Sequence, residues 1–393
     1  MIVPRRLAVV LSHPTQYYSP WFRFIANENR CALRVFYLWD FGVTTRHDPR
    51  FGAAFRWDID LLSGYDHEFV PNAATNPGTE SFSGLHNPTL PVRLKTWKPD
   101  AILVFGYRFR THLNLLRWAR RHRIPLIFRG DSHLLGQPCP SLSKRLLLRW
   151  VYRHFAAFTY VGLANRDYFS FFGVSSEKLF FAPHAVNREH FDPRLPTYRF
   201  AASELRRRLE IPADAPVILF AGKFAANKQP LTLLAAFASL NHPTAVLLFV
   251  GDGELREPLR RAAAANGARV RFLPFANQSE MPVRYLLADV FALPSRGHYE
   301  TWGLAVNEAM HMGVPCLVSD RVGCQRDLVT DGETGWVFPA HDPAALESSL
   351  ARALAAVAGD TTQLRARIAD RVSHYTYRQA TEGLLSAMAH VVP

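Results

Sequence analysis

Residues 294–315 read PSRGHYETWGLAVNEAMHMGVP. The apolar run before them, Asp289 to Leu293 (DVFAL), has the length and character of a short buried strand. Pro294, Ser295 and Gly297 then open a loop, and the pattern turns helical from Gly303 to Met312. Glu300 and Glu308 bracket this turn, eight positions apart. At about 100° per residue they would stand roughly 80° apart on one helix, so they would not share a face. The expected geometry places Glu300 in the loop and Glu308 in the second turn. Both then lie near a helix N-terminus, whose free N–H groups favour an anion.

Working outward, the same alternation of strand and helix fills the second half. Val217–Phe220, Ala245–Val250, Arg269–Leu273, Cys316–Ser319 and Gly335–Phe338 are strand candidates, with helical stretches Pro230–Leu240, Glu254–Ala265, Pro282–Leu287, Pro343–Ala358 and Leu364–Val372 among them. The first half repeats the rhythm with strands at Leu7–Leu11, Leu33–Leu38, Asp100–Phe105, Pro125–Phe128 and Ala157–Val161. Between them Pro193, Pro196, Pro212 and Pro216 flank a short charged helix, SELRRRLE. The expected organisation is α/β throughout: two Rossmann-like domains with parallel sheets, residues 1–190 and 215–374, a linker at 191–214, and a last segment, 375–393, whose helix crosses back to the first domain.

Charge divides unevenly between these halves. Residues 1–190 carry 25 Lys and Arg against 13 Asp and Glu, a net +12, whereas residues 191–393 carry 21 against 20, a net +1. A basic surface suits an anionic membrane, a phosphorylated substrate or nucleic acid, or is simply solvated. Cys31, Cys139, Cys316 and Cys324 form no C-x-x-C pair, which points to reduced thiols in a cytoplasmic protein. The apolar stretch after Arg5 and Arg6 stops at Leu11, too short for a signal peptide, and no run approaches the roughly 18 apolar residues of a membrane span.

Four features of the second half carry chemistry. In Phe220–Pro230, FAGKFAANKQP, a strand ends at Gly222, and Lys223 and Lys228 precede a helix; an open backbone and two ammonium groups suit a diphosphate. Gly251-Asp252-Gly253 makes a tight turn at the carboxyl end of a strand, where open α/β sheets bind ligands. RVRFLPF, ending at Phe275, is the third, and the Glu300/Glu308 stretch the fourth.

Together these residues resemble the donor-binding domain of the family-4 retaining glycosyltransferases, which have the GT-B fold. Ser295, Glu300, Trp302-Gly303-Leu304, Glu308-Ala309-Met310, Gly313-Val314-Pro315 and Asp331-Gly332 to Gly335 follow that family's motif in order over about residues 215–355. Trp302 replaces the usual Phe, and Gly323-Cys324 a frequent Gly-Gly. The resemblance implies two domains facing across a cleft and a hexosyltransferase that needs no metal or other cofactor. It would move a sugar, with retention, from a UDP-, GDP- or ADP-linked donor to a small-molecule, glycan or lipid-linked acceptor. It further implies that Glu308 accepts hydrogen bonds from the ribose, Glu300 meets the donor sugar, the N–H groups of Gly303 and Leu304 face the phosphates, and Thr301 belongs to the donor site. Lys223 and Lys228 would neutralise the leaving diphosphate, with Gly222, Gly251, Phe275 and Trp302 completing the donor site.

The first half supplies the acceptor side in this reading. His13, Gln16 and Tyr17 follow the first strand, and Arg129, Asp131 and His133 follow the PLIF strand, both at the expected cleft edge. Asp131 or His133 is expected beside the acceptor, with Asp131 counted among the catalytic groups; the alternatives are a capping aspartate and a surface histidine. His184 lies in PHAVN, which resembles the family's crossover segment. Asp58-Ile59-Asp60 has the form of a metal-binding D-x-D but lacks the surrounding strand pattern, so no metal site is expected. Arg145, Arg149 and Arg153 recur every four residues, with Leu142, Leu146 and Trp150 on another face, which fits either core packing with a basic edge or a helix lying on an anionic bilayer. The expected location is the cytoplasm or the inner membrane face, with no nucleic-acid partner. The competing functions are a nucleotide-sugar epimerase of the same fold and an inactive basic membrane-surface module.

Overall fold

The computed structural model describes residues 5–392 except 45, 49–52, 266–268 and 298–299. Two parallel sheets organise it. The first contains β1 (Arg6–Leu11), β2 (Ala32–Tyr37), β3 (His67–Phe69), β4 (Ala101–Phe105), β5 (Leu126–Arg129), β6 (Ala157–Tyr160) and β7 (Leu179–Phe181), in the spatial order β3-β2-β1-β4-β5-β6-β7. The second contains β8 (Val217–Ala221), β9 (Val246–Val250), β10 (Val270–Leu273), β11 (Val290–Leu293), β12 (Cys316–Ser319) and β13 (Gly335–Phe338), in the order β10-β9-β8-β11-β12-β13. A short antiparallel hairpin, Arg46–Asp48 with Ala53–Phe55, stands apart.

Helices cover both faces of each sheet, so the central strands are apolar at successive positions rather than alternating. All five residues of β8 and all five of β9 are buried. Odd and even positions feed different cores: Val217 and Leu219 enter one cluster, Ile218 and Phe220 the other. β1 divides in the same way, with Ala8 and Val10 on one face and Leu7 and Val9 on the opposite one.

In both sheets the strand order reverses beside the first strand, between β1 and β4 and between β8 and β11. In such sheets the loops at the carboxyl ends diverge at that point and leave a crevice. The sheet order therefore places the loops after β1 and β4, and those after β8 and β11, at these two crevices.

The segment 191–214 contains the helix Pro196–Arg208, whose Ala202 and Leu205 lie in a core of the second domain. The helix Tyr377–Val391 packs Ala380, Leu384, Ala387 and Met388 into a core of the first domain, and Trp21 Nε1 donates to Thr381 Oγ1 at 3.1 Å. Among the described residues no helix is long and apolar enough to cross a membrane.

Candidate active site

The residues just after β11 are fixed from below. Gln229 donates from Nε2 to the Pro294 carbonyl at 2.8 Å, and Arg296 N–H donates to the Asn227 carbonyl at 2.8 Å. Gly303 then takes φ +99°, and a Cβ there would meet Val322 at 2.8 Å, so glycine is needed for both reasons. The helix proper runs Leu304–His311, one residue shorter at each end than expected, with Gly303 as its N-cap. The N–H groups of Gly303 and Leu304 precede the first intrahelical bond, as at every helix start.

Glu300 is in the loop and Glu308 in the second turn. Lys228 Nζ donates to Glu300 Oε2, and the pair is mostly buried, with 22% and 8% side-chain exposure. Glu308 is more enclosed, at 3% exposure. Its Oε1 accepts from Tyr17 Oη at 3.0 Å and Gln278 Nε2 at 3.3 Å, and its Oε2 accepts from Tyr285 Oη at 2.7 Å. Burial pushes the Glu308 carboxyl above its ordinary range, against the pull of those three donors. The Tyr17 phenol is pushed up as well, by burial and by the Glu308 charge. Tyr17 belongs to the first domain, so this carboxylate is shared across the cleft.

Gly222 extends the β8 edge with φ +150°, and a Cβ there would meet nothing within 4 Å. That open space distinguishes it from Gly251 and Gly253, where a Cβ would strike the Gly222 carbonyl at 2.0 Å and the Phe224 carbonyl at 2.7 Å. The Gly251–Gly253 turn thus serves the close approach of two loops, and Gly222 offers backbone to a ligand. Lys223 and Phe275 are both half-buried on neighbouring loops.

From the first domain Asp131 reaches the same loop: Thr301 Oγ1 donates to Asp131 Oδ2 at 2.8 Å, and His184 Nε2 lies 3.6 Å from that oxygen. Burial works to raise the Asp131 carboxyl, but hydrogen bonding and the charge of His184, with Thr301, bring it below the usual range. With 38% of its side chain exposed, Asp131 is an ionised carboxylate at the cleft edge. Burial pulls the His184 imidazole down, against the opposing pull of the Asp131 carboxylate.

The remaining expected residues divide sharply. His133 is buried; its Nδ1 accepts from Leu135 N–H at 3.1 Å and its Nε2 donates to the Glu300 carbonyl at 2.9 Å, so it grips the backbone of the Glu300 loop. Arg129 is buried at 1% exposure, donating to the Ala182 carbonyl at 2.9 Å, with its guanidinium 4.8 Å from the Trp21 ring centre. That position pins the crossover between domains and offers nothing to an acceptor. Trp302 is also turned from the cleft: it is 2% exposed, donates to Asn307 Oδ1 at 2.7 Å, and occupies the space where a Cβ on Gly162 would lie 2.4 Å from its ring. The larger ring in place of Phe reaches the first domain.

His13 sits edge-on to Phe41 at 5.4 Å, and burial pulls its imidazole down to about 4. Gln16 and Tyr17 line a cavity of about 100 Å³ with Asn187, His190 and Gln278. A larger groove of about 570 Å³ lies where the chain crosses between domains, lined by Arg23, Asn187, Arg188, Tyr377 and Arg378, and includes neither lysine of the cluster nor either glutamate. Its position on the crossovers, away from the open Gly222 backbone, makes it the weaker candidate for the reaction despite its size.

The D-x-D carboxylates have structural partners: Asp58 accepts from Ser279 Oγ, and Asp60 accepts from Leu62 and Ser63 N–H at 3.0 and 3.1 Å. Among the described residues no group of three or more His, Cys, Asp or Glu is placed to hold a metal ion. Sequence reasoning missed Tyr285, Gln278 and Asn307. Tyr285, a hydroxyl among the apolar positions Met281, Val283 and Leu286 of its helix, was the one legible signal among them.

Two Rossmann-like domains with facing cleft loops define a GT-B fold. Residues 202–371, which contain the second sheet and the Glu300/Glu308 stretch, match the family model of the glycosyl transferases group 1. The chain is similar to D-inositol 3-phosphate glycosyltransferase of Xylanimonas cellulosilytica, at 34% identity over 48% of this chain and 46% of the relative. It is also similar to the GDP-mannose-dependent alpha-(1-6)-phosphatidylinositol monomannoside mannosyltransferase of Mycolicibacterium smegmatis, at 32% identity over 44% and 49%. The chain therefore spans about half the length of the curated relatives it matches. Over whole chains the fold is that of Anabaena Alr3699/HepE, solved with UDP and glucose, with TM-score 0.72, 16% identity, and 98% and 99% coverage.

Proposed function

We propose that this protein transfers a sugar from a nucleoside diphosphate sugar to an acceptor hydroxyl, with retention at the anomeric carbon and without a metal, as the family-4 enzymes do. The observation that carries this reading is the mostly buried Lys228–Glu300 pair, its lysine on the loop that opens with Gly222 and Lys223, its glutamate just before the N-terminus of helix Leu304–His311, and Asp131 bonded to the adjoining Thr301. Two ammonium groups and a helix N-terminus stabilise the negative charge that accumulates on the diphosphate as the glycosidic bond breaks, and such stabilisation is usually the largest catalytic contribution. Glu300, held by Lys228 and by His133 through its carbonyl, takes the sugar hydroxyls, and Asp131 orients the acceptor. The acceptor oxygen bonds to the anomeric carbon on the face the diphosphate leaves, and its proton passes to the departing phosphate. The relatives, which include an inositol phosphate and a phosphatidylinositol mannoside enzyme, support a polyol or glycan acceptor in glycoconjugate synthesis. A working position at an anionic membrane surface on the cytoplasmic side is part of the proposal, supported by the charge of the first half.

The decisive experiment combines thermal unfolding with hydrolysis across UDP-, GDP- and ADP-sugars, with and without chelator. A true donor at about 100 times its Kd should stabilise the fold by about 2.7 kcal/mol. Product of inverted anomeric configuration would overturn retention, chelator-sensitive turnover would overturn metal independence, and epimerised donor formed without acceptor would overturn transfer.

A further inference from the structure

The helix Leu142–Tyr152 buries Leu148, Val151 and Tyr152 against the first sheet. An amphipathic helix normally leaves polar residues outside. Here the outer face carries Leu142, Leu146, Leu147 and Trp150, with 69%, 58%, 54% and 39% exposure. Leu142, Leu146 and Trp150 are spaced by four and form a stripe along the side away from the core. An apolar stripe that faces outward along a whole helix is the uncommon arrangement that marks an interaction surface.

Its surroundings select the partner. Lys144 and Arg149 are exposed on the same helix and Arg153 at its C-cap. The helices Leu90–Trp97 and Arg110–His122 pack into the same core, on the same face of the sheet, and expose Lys95, Arg110, Arg117, Arg120 and Arg121. A protein partner would need a matching acidic rim around an apolar groove, whereas an anionic bilayer supplies both chemistries along a whole face. We propose that this face docks peripherally on an anionic lipid surface, with Leu142, Leu146, Leu147 and Trp150 inserted at the headgroup level and the arginines and lysines on phosphates.

Topology gives the docking a direction. The chain runs from β5, past Asp131 and His133 at the cleft, directly into this helix, so Leu142 is at its cleft end and Trp150 lies two turns beyond. The bilayer would then lie beside the acceptor side of the cleft, which deepens the proposed function by making the acceptor a membrane-borne one. The lipid contact itself requires neither donor nor turnover.

Flotation of the full chain with phosphatidylcholine vesicles, with and without phosphatidylglycerol, tests the contact apart from the transferase reading. Binding should require the anionic lipid and weaken with salt. L146E/W150E should reduce partitioning by tenfold or more, and R149A/R153A by roughly fivefold per charge, since each contributes about 1 kcal/mol near the surface. Both pairs are exposed, so circular dichroism and the melting temperature should match those of the parent. Binding unchanged by L146E/W150E would overturn the proposal, as would absence of flotation with anionic vesicles. A concentration-dependent dimer abolished by L146E/W150E would instead assign the face to a second copy of the chain.

Discussion

Glu308 has three hydrogen-bond donors before any ligand arrives, and one of them, Tyr17, comes from the opposite domain. A ribose that bonds to Glu308 must therefore share or replace the Tyr17 hydroxyl. Tyr17→Phe removes that competitor at the cost of one net hydrogen bond of about 1 kcal/mol, so UDP or GDP affinity measured by calorimetry should improve about fivefold. Glu308→Ala strands Tyr285 and Gln278 without an acceptor and should lower stability by about 1–3 kcal/mol as well as weaken nucleotide binding. Glu300→Ala should behave differently: turnover falls steeply while nucleotide affinity changes little, a split read from kcat and from calorimetry in parallel. The two glutamates were separable in the sequence because their spacing forbids a common helix face. Their partners were not, because Tyr17 and Glu308 are 291 residues apart and no local pattern couples them.

At the scale of elements, the strands were legible where burial on both faces forces an apolar run, as in β8 and β9. β3 and β7, three residues each and only partly buried at the sheet edges, lacked that signal. The helix Leu142–Tyr152 was ambiguous because its outward stripe has the same spacing as a core stripe. A cross-domain cap was invisible for the same reason as the Tyr17 contact: Asp327 accepts from Leu163 N–H at 3.0 Å, at the start of the helix Leu163–Phe171, and from Tyr375 Oη at 3.2 Å. Burial raises the Asp327 carboxyl to about 6 despite those donors. With the folded value above the unfolded one, the folded chain binds more protons between about pH 4 and pH 6, and this group's contribution to stability declines as pH rises through that window. The cost when ionised is on the order of 3 kcal/mol. Asp327→Asn retains an acceptor for Leu163 and removes the titration. Its melting temperature relative to the parent should thus rise from pH 4 to pH 7, and a constant difference in calorimetry would show that Asp327 does not titrate there.

The whole molecule is held closed by contacts that meet across the cleft: Thr301 with Asp131, Tyr17 with Glu308, His133 with the Glu300 carbonyl, and Arg326 with Asp167 at 2.7 Å. Two-domain architecture follows from two successive α/β patterns, but closure depends on side chains far apart in sequence. The returning helix Tyr377–Val391 completes the first domain after the second has been built, and Gly383 sets how closely it approaches. A Cβ at Gly383 would lie 1.8 Å from the Phe181 carbonyl oxygen on β7. Helix propensity favours Ala over Gly by about 1 kcal/mol, so on an isolated helix Gly383→Ala would stabilise. Here the backbone contact opposes it, because the helix must lift from β7 and open the packing around Leu384 and Met388. We expect a net loss of about 1–3 kcal/mol, the usual cost of forcing an extra carbon into a packed interior. Since two domains need not unfold together, hydrogen exchange is the suitable measurement. Protection should fall in β6, β7 and the returning helix and remain in β8 and β9. A uniform loss over both sheets would mean that the helix stabilises the closed pair of domains rather than the first domain alone.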